Sequence, residues 1–348
     1  MTEIQTQLGL ENQWYIACHA KDLKNNTPKA VRLCNICMVL FRAKNGQTVA
    51  MLDRCPHRNV PLSCGYVKNN EITCKYHGWR FNEQGDCTYV SGLLEEEANH
   101  RTRRATTFPV CESQGFVWVM PIQTIATATK QPFIIPHVQD KEYGMVPYVY
   151  DFDATLFSVA ENILDVQHTS YLHKGLFRTP SKNKRTVKIK KTGLEVSAEY
   201  CDEPRPAGLL GKLLAPRGGT VIHFDRFILP SIAQVEYRLG EHAHLLVTNV
   251  LVPVEPFRTR IYVFVAFRLP WTKLLNPLIQ WIATPFAKRV LYQDATILAA
   301  QTHNIRQFGK EHFTSTPADC LAPHISRLLR YDTEKSDHDV EKSYEILM

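Results

Sequence analysis

The sequence predicts an α+β chain of two domains, an all-β N-terminal one and a larger one built on an antiparallel sheet. Three observations carry this reading. Short β-rich runs crowd the chain up to Met120; longer ones, AHLLVTNVLVPV and RIYVFVAFRL, recur between Ala243 and Leu269; only two segments, about Thr155 to Leu172 and Lys288 to Gln307, have a convincing helical pattern. A length of 348 residues suits two domains, each able to bury a core.

The elements follow in order. CMVLFR and TVAMLD read as strands joined by a turn that contains Asn45-Gly46, a strong hairpin signal. FVWVM, Phe116 to Met120, closes the first domain. PIQTIATATKQPFIIP, Pro121 to Pro136, has no period and serves as the linker, so the domains are expected at 1–125 and 126–348. The second domain opens with a strand-like segment and the helix at Thr155. A basic stretch, SKNKRTVKIKKTG, and the Gly/Pro-containing PRPAGLLGKLLAPRGG follow, and the region Leu176 to Gly219 is expected to include a lid over a hydrophobic guest.

Composition excludes several classes. A balance of 41 basic against 34 acidic residues, +7 overall, falls short of a nucleic-acid binder's excess. The N-terminus has no basic segment leading into an apolar run, so a cytoplasmic protein is expected. The most apolar segment, LIQWIATPFA, is too short to span a bilayer; flanked by Lys273, Lys288 and Arg289, it allows at most peripheral contact with the inner membrane. Ten cysteines in a chain of this length and compartment point to metal more than to disulfides.

Two of them stand in a compact pattern: Cys55-Pro-His57, then Cys74-Lys-Tyr-His77. Each arm offers one thiolate and one imidazole from a tight loop. Zinc takes ligands of the same kinds, so spacing alone leaves the metal open. One sulfur and one nitrogen per arm also suit a [2Fe-2S] cluster with two Cys on one iron and two His on the other, a one-electron relay. Cys64, Cys87 and the lone Cys34-Asn-Ile-Cys37 lack a matching pair and read as ordinary thiols.

A second constellation lies in SVAENILDVQHTSYLHKGLF. At 100° per residue Glu161, Asp165 and His168 fall within about 60° of one helix face, and Asn162 widens the arc to about 120°. His173 would lie about 140° from His168, so the helix must end or bulge if both bind one metal. Two His and a carboxylate on one face of an octahedron leave positions open for dioxygen. In KRVLYQDATILAAQTHNI, Asp294 sits within the apolar stripe of Ala287, Val290, Leu291, Ile297 and Leu298, where a carboxylate is costly unless paired or metal-bound. It is the expected third ligand.

CPHR and CKYHGWRF resemble the two cluster boxes of the Rieske non-haem iron oxygenases, NQWYIACHAKDL resembles their entry strand, Asn162-x-x-Asp165-x-x-His168-x4-His173 their catalytic iron box, and QDATILAAQ the segment supplying their Asp ligand. The likeness spans about residues 12 to 305. It implies a Rieske [2Fe-2S] domain on Cys55, His57, Cys74 and His77, then a helix-grip (START-like) catalytic domain with mononuclear Fe(II) on His168, His173 and Asp294. Asp165 matches the carboxylate that bridges a cluster His of a neighbouring subunit to an iron-ligand His, and either Asn162 or Glu161 is the polar residue beside the iron. Members work mostly as trimers in which the cluster of one subunit faces the iron of the next.

The resemblance further implies a terminal oxygenase that uses O2, with electrons from NAD(P)H through a separate reductase and perhaps a ferredoxin; this chain carries no nicotinamide or flavin motif. The expected reaction is hydroxylation or oxidative demethylation of a hydrophobic ring compound, sterol-like or polycyclic ahead of a small methoxy-aromatic. A Rieske electron-transfer or ligand-sensing protein without oxygenation, and a zinc-binding interaction module, are the readings from other classes.

Overall fold

The computed structural model of the protein describes residues 13–121, 131–174, 183–203, 221–239, 243–269, 272–330 and 339–347. They fall into two compact units, Leu10–Ile134 and Ile135–Met348. The boundary expected near residue 125 lies outside the described residues.

The first unit is built of three small antiparallel sheets. One orders the strands Tyr15–His19, Phe116–Val119 and Val110–Ser113. A second orders Lys29–Leu33, Ile36–Arg42, Thr48–Leu52 and Thr107–Phe108, and a third Tyr66–Lys68, Glu71–Thr73, Arg80–Phe81 and Cys87–Tyr89. Gly46, at φ +86°, turns the chain between Arg42 and its partner Thr48. Cys34 and Asn35, both at positive φ, make the turn before Ile36, and the exposed Cys37 thiol accepts a hydrogen bond from Arg32 at 3.1 Å. A buried apolar cluster of Val39, Phe41, Met51, Leu62, Ile72 and Phe81 takes in Cys55, Cys74 and Cys87.

The second unit is an eight-stranded sheet in which every neighbour is antiparallel. Its order is Gly144–Phe152, Arg258–Arg268, Ala243–Glu255, Ile232–Leu239, Val221–Ile228, Glu195–Glu203, Lys184–Thr192 and Val340–Leu347. Side chains alternate between faces. Tyr148, on the same face as Val146 and Val265, donates its hydroxyl to Thr284 of the helix Thr272–Phe308 at 3.1 Å, so the long helix lies on that face. Tyr200, in register with His223 and Tyr237, shares a small cavity with Glu161 and Leu164, which places the helix Leu156–Leu164 on the same face. A long helix on one side of an antiparallel sheet is the α+β architecture that the sequence predicts.

Three expectations need correction. The helix at Thr155 does not run to Leu172; it ends at Leu164, and a separate 3-10 turn covers Gln167–Ser170. The Asp165 carboxylate accepts hydrogen bonds from the backbone of Gln167 at 2.8 Å and His168 at 3.2 Å, a side-chain competitor that stops the helix. The second helix begins at Thr272, well before Lys288, and continues through Pro277 and Pro285. Tertiary packing beside Thr284 overrides the local penalty. The expected lid region is in part a strand: Val187 and Ile189 alternate with exposed residues in Lys184–Thr192, a period of two, and the strand pairs on both sides. The leucine cluster at Leu209 to Leu214 lies outside the described residues.

Among the described residues no helix is long and apolar enough to cross a membrane. The WIATPF segment belongs to the long helix, where Trp281 is exposed.

Candidate metal centres

Cys55 and Cys74 occupy twin loops. In the first, the Cys55 N–H donates to Val60 O at 2.9 Å and the Asn59 N–H donates back to Cys55 O at 2.9 Å; in the second, Cys74 N–H donates to Trp79 O at 2.8 Å and Gly78 N–H to Cys74 O at 3.0 Å. The fourth residue after each cysteine has positive φ, Asn59 at +60° and Gly78 at +72°, which closes the loop tightly. The thiols point into the core, 1% and 3% exposed, whereas the imidazoles sit on the crowns, with ring centroids 4.6 Å apart. Trp79 lies flat on His57, centroids 4.5 Å apart and planes within 3°.

Burial pushes the Cys55 thiol up to about 11, with Cys74 beside it adding to the rise. Two thiols held side by side, with two imidazoles on the crowns of the same loops, form a donor set that suits a thiophilic metal.

The second centre forms where the Leu156–Leu164 helix meets the long helix. His168, His173 and Asp294 each place one donor atom within 4.8 Å of the others. His173 Nε2 lies 3.0 Å and His168 Nε2 3.6 Å from Asp294 Oδ1, with the two rings nearly perpendicular at 76°. Among the described residues Asp294 Oδ1 is buried and accepts no well-formed hydrogen bond, the condition of an atom shaped for a cation. Burial raises the Asp294 carboxyl above its ordinary range, and His173, His168 and Asn162 pull it back.

Asn162 reaches the Asp294 carboxylate. Glu161 turns instead into the small cavity that it shares with Asp165, Tyr200 and Asp319, where burial, then Asp165 and Asp319, lift its carboxyl to about 7. The common helix face expected for Glu161, Asp165 and His168 is not what forms, because the helix stops before Asp165. Asp165 holds His168 through the backbone, and its Oδ2 stands 3.6 Å from His168 Nδ1.

Gln293, which the sequence reading missed, lies 3.0 Å from His173 Nδ1 through its Oε1. The signal was adjacency: residues before and after a ligand on a helix flank its neighbours. Also missed was a buried clamp on the helix-bearing face of the sheet, in which His223 Nδ1 is 2.8 Å from Glu203 Oε2 and Nε2 is 3.0 Å from Asp225 Oδ1.

Residues 13–95 match the Rieske [2Fe-2S] domain, and residues 152–331, more than half of the chain, match the vanillate O-demethylase oxygenase C-terminal domain. The chain belongs to the Rieske non-haem iron oxygenases. Among relatives of this family, 4beta-methylsterol monooxygenase of Methylococcus capsulatus is 34% identical over 165 residues, 47% of this chain and 44% of that protein. Chlorophyllide a oxygenase of Chlamydomonas reinhardtii is 26% identical over 333 residues, 94% of this chain and 49% of that protein. The chain thus spans about half or less of the curated relatives' length. Dicamba monooxygenase shares the fold at TM-score 0.74 and 20% identity over 94% of this chain and 99% of that one. The QL mutant of Pseudomonas putida CBB5 NdmA, with caffeine, does so at 0.75 and 21%, over 94% and 91%. At such identities the Rieske oxygenase structures show a common fold.

The donor sets fit the two metal groups of a Rieske oxygenase. Two buried thiols and two imidazoles suit the cluster, and two imidazoles with one buried carboxylate oxygen, three donors in all, suit an iron with positions left open.

Proposed function

We propose that the protein is a terminal oxygenase that hydroxylates or oxidatively demethylates a hydrophobic ring compound. The observation that carries this reading is the buried His168–His173–Asp294 convergence in a chain that also has a Rieske domain. A relay alone has no need of a second, open-sided metal site. When bound there, iron supplies dioxygen activation.

The chain's own residues prepare that site. The Gln293 amide oxygen accepts from His173 Nδ1, so the proton stays on that nitrogen and Nε2 presents a lone pair. Asp165 fixes the turn that carries His168, Asn162 steadies Asp294, and Cys55, His57, Cys74 and His77 hold the cluster. By family resemblance the working unit is a homotrimer in which Asp165 faces a cluster histidine of the neighbouring subunit. Electrons come from a separate NAD(P)H reductase, directly or through a ferredoxin.

The relatives' names include a methylsterol monooxygenase, a chlorophyllide oxygenase and O-demethylases of small aromatics, which supports hydroxylation or demethylation of a ring system. A sterol-like or polycyclic substrate is our first choice, a small methoxy-aromatic the second. The test is iron content, EPR and turnover of the purified protein. The reading expects iron beyond the pair that a [2Fe-2S] cluster carries, a rhombic signal on reduction, and a His173→Ala variant that keeps the signal but forms no product. A protein with only cluster iron would be an electron carrier, and turnover by the variant would refute the iron site.

A further inference from the structure

The long helix Thr272–Phe308 turns one side to the candidate iron centre and the other to the surface. Asp294, buried on the inner side, is the only acidic residue in its sequence. At 100° per residue the outer side carries Trp281, Lys288, Arg289 and Tyr292 within an arc of about 100°, and Tyr292 stands about 160° round the helix from Asp294. All four are exposed, Trp281 at 76% and Tyr292 at 66%. The two aromatic positions stand almost in line, about 16 Å apart along the axis, with the two cations between them. Among the described residues neither Lys288 nor Arg289 has a carboxylate partner.

Each part of this stripe has a physical preference. Trp and Tyr combine an apolar body with a polar edge, and both collect where hydrocarbon meets water. Lys and Arg lay their stems on apolar surface and keep the charge in water, where an anionic lipid head group attracts it. A face of aromatics and cations, on a helix with no exposed acid to repel phosphate, complements an anionic bilayer surface. A second copy of the chain fits it less well. In a two-fold contact the stripe would meet itself, setting Lys288 and Arg289 against their own counterparts. Among the described residues no helix is long and apolar enough to cross a membrane, so the contact lies in the plane of the surface.

We propose that the stripe from Trp281 to Tyr292 rests on an anionic lipid bilayer, with its two aromatic side chains at the head-group boundary and Lys288 and Arg289 on the phosphates. Docking of this kind has a consequence for substrate supply, which rests on the oxygenase reading above although the docking itself does not. Asp294 lies across the same helix, about one helix diameter, roughly 10 Å, from the lipid. A hydrophobic ring compound dissolved in the bilayer then starts close to the iron site.

The experiment is flotation of the purified holoprotein through a density gradient with vesicles of phosphatidylcholine, alone or mixed with an equal share of phosphatidylglycerol. The protein should rise with the anionic vesicles and stay behind with the neutral ones. Lys288→Gln and Arg289→Gln should each lower the partition coefficient about fivefold. Trp281→Ser combined with Tyr292→Ser should lower it at least about tenfold. All four side chains are exposed, so the variants should keep the wild-type circular dichroism, and the charge variants stand if the aromatic one misfolds. Sedimentation velocity without lipid reports the competing occupant: an equal mass for wild type and aromatic variant supports the proposal, whereas a smaller assembly for the variant assigns the stripe to a contact between copies and overturns it. Failure to float with anionic vesicles, equal flotation with neutral ones, or undiminished flotation of the folded variants would each overturn it as well. None of these measurements depends on turnover, so a failed oxygenase reading shows separately, in iron content and product formation.

Discussion

Gln293 Oε1 holds His173 Nδ1 at 3.0 Å, and the opposite nitrogen of the same ring stands 3.0 Å from Asp294 Oδ1. Two consecutive residues of one helix therefore grip a single imidazole at its two ends, one fixing its tautomer and the other sharing its prospective metal. The ring cannot rotate without losing both.

Replacing Gln293 by Leu should accordingly weaken metal binding without touching the cluster. Loss of a partner that orients a ligand typically costs 10- to 100-fold in metal affinity. Chelator competition monitored by iron release should show a shift of about that size, with the reduced cluster's EPR spectrum unaltered. An unchanged affinity would mean that the hydrogen bond is incidental.

Trp79→Ala removes the plate against which His57 rests. We expect a loss of about 2 kcal/mol in stability, from a half-buried aromatic, and a broadened cluster EPR signal as the imidazole gains freedom. Trp79→Phe should recover the line shape in large part. Thermal unfolding and low-temperature EPR of the three proteins check both expectations.

The His223 clamp gives stability a pH dependence. Burial alone would lower the imidazolium's pKa, but Asp225 and Glu203 outweigh it and raise the value from 6.5 to about 9. Because the folded form holds the proton more tightly than the unfolded chain, the contribution is complete below pH 6.5 and fades as pH rises through 9. A displacement of this size corresponds to about 3 kcal/mol. Unfolding midpoints measured across that window should fall for the wild type and flatten for Asp225→Asn.

Thr155 caps the helix that delivers Asn162, its Oγ1 accepting from the Ser158 N–H at 3.2 Å. Thr155→Ala should cost about 1 kcal/mol, a drop of a few degrees in Tm. Thr155→Ser, which keeps the oxygen, should restore most of it.

The extent to which the sequence disclosed these sites follows from how local each device is. Cys55, His57, Cys74 and His77 were legible because each pair lies within one short loop, where spacing is geometry. Asp294 could be found because a carboxylate in an apolar helical stripe violates the burial pattern. The end of the helix at Asp165 was not legible: Val166 continues the apolar pattern, and the signal that wins, a carboxylate bonding the next two backbone amides, leaves no trace in periodicity. Nor was the start of the long helix, where Pro277 and Pro285 argue locally against a helix. The Glu203–His223–Asp225 clamp was out of reach, since it depends on strand register: Tyr200, His223 and Tyr237 become neighbours only when three strands align.

The twin loops of the first unit have an electrical consequence. Their backbones close in the same way, but the histidine stands two residues after Cys55 and three after Cys74, so both sulfurs end in the core and both rings at the surface. On the sulfur side the thiols are buried in one apolar cluster with Phe41, Met51 and Phe81; on the nitrogen side stand two imidazole rings and one indole. A cluster held there would exchange electrons most readily through its histidines, the side nearest the surface. A donor or acceptor docked at that edge would have the shortest path to it.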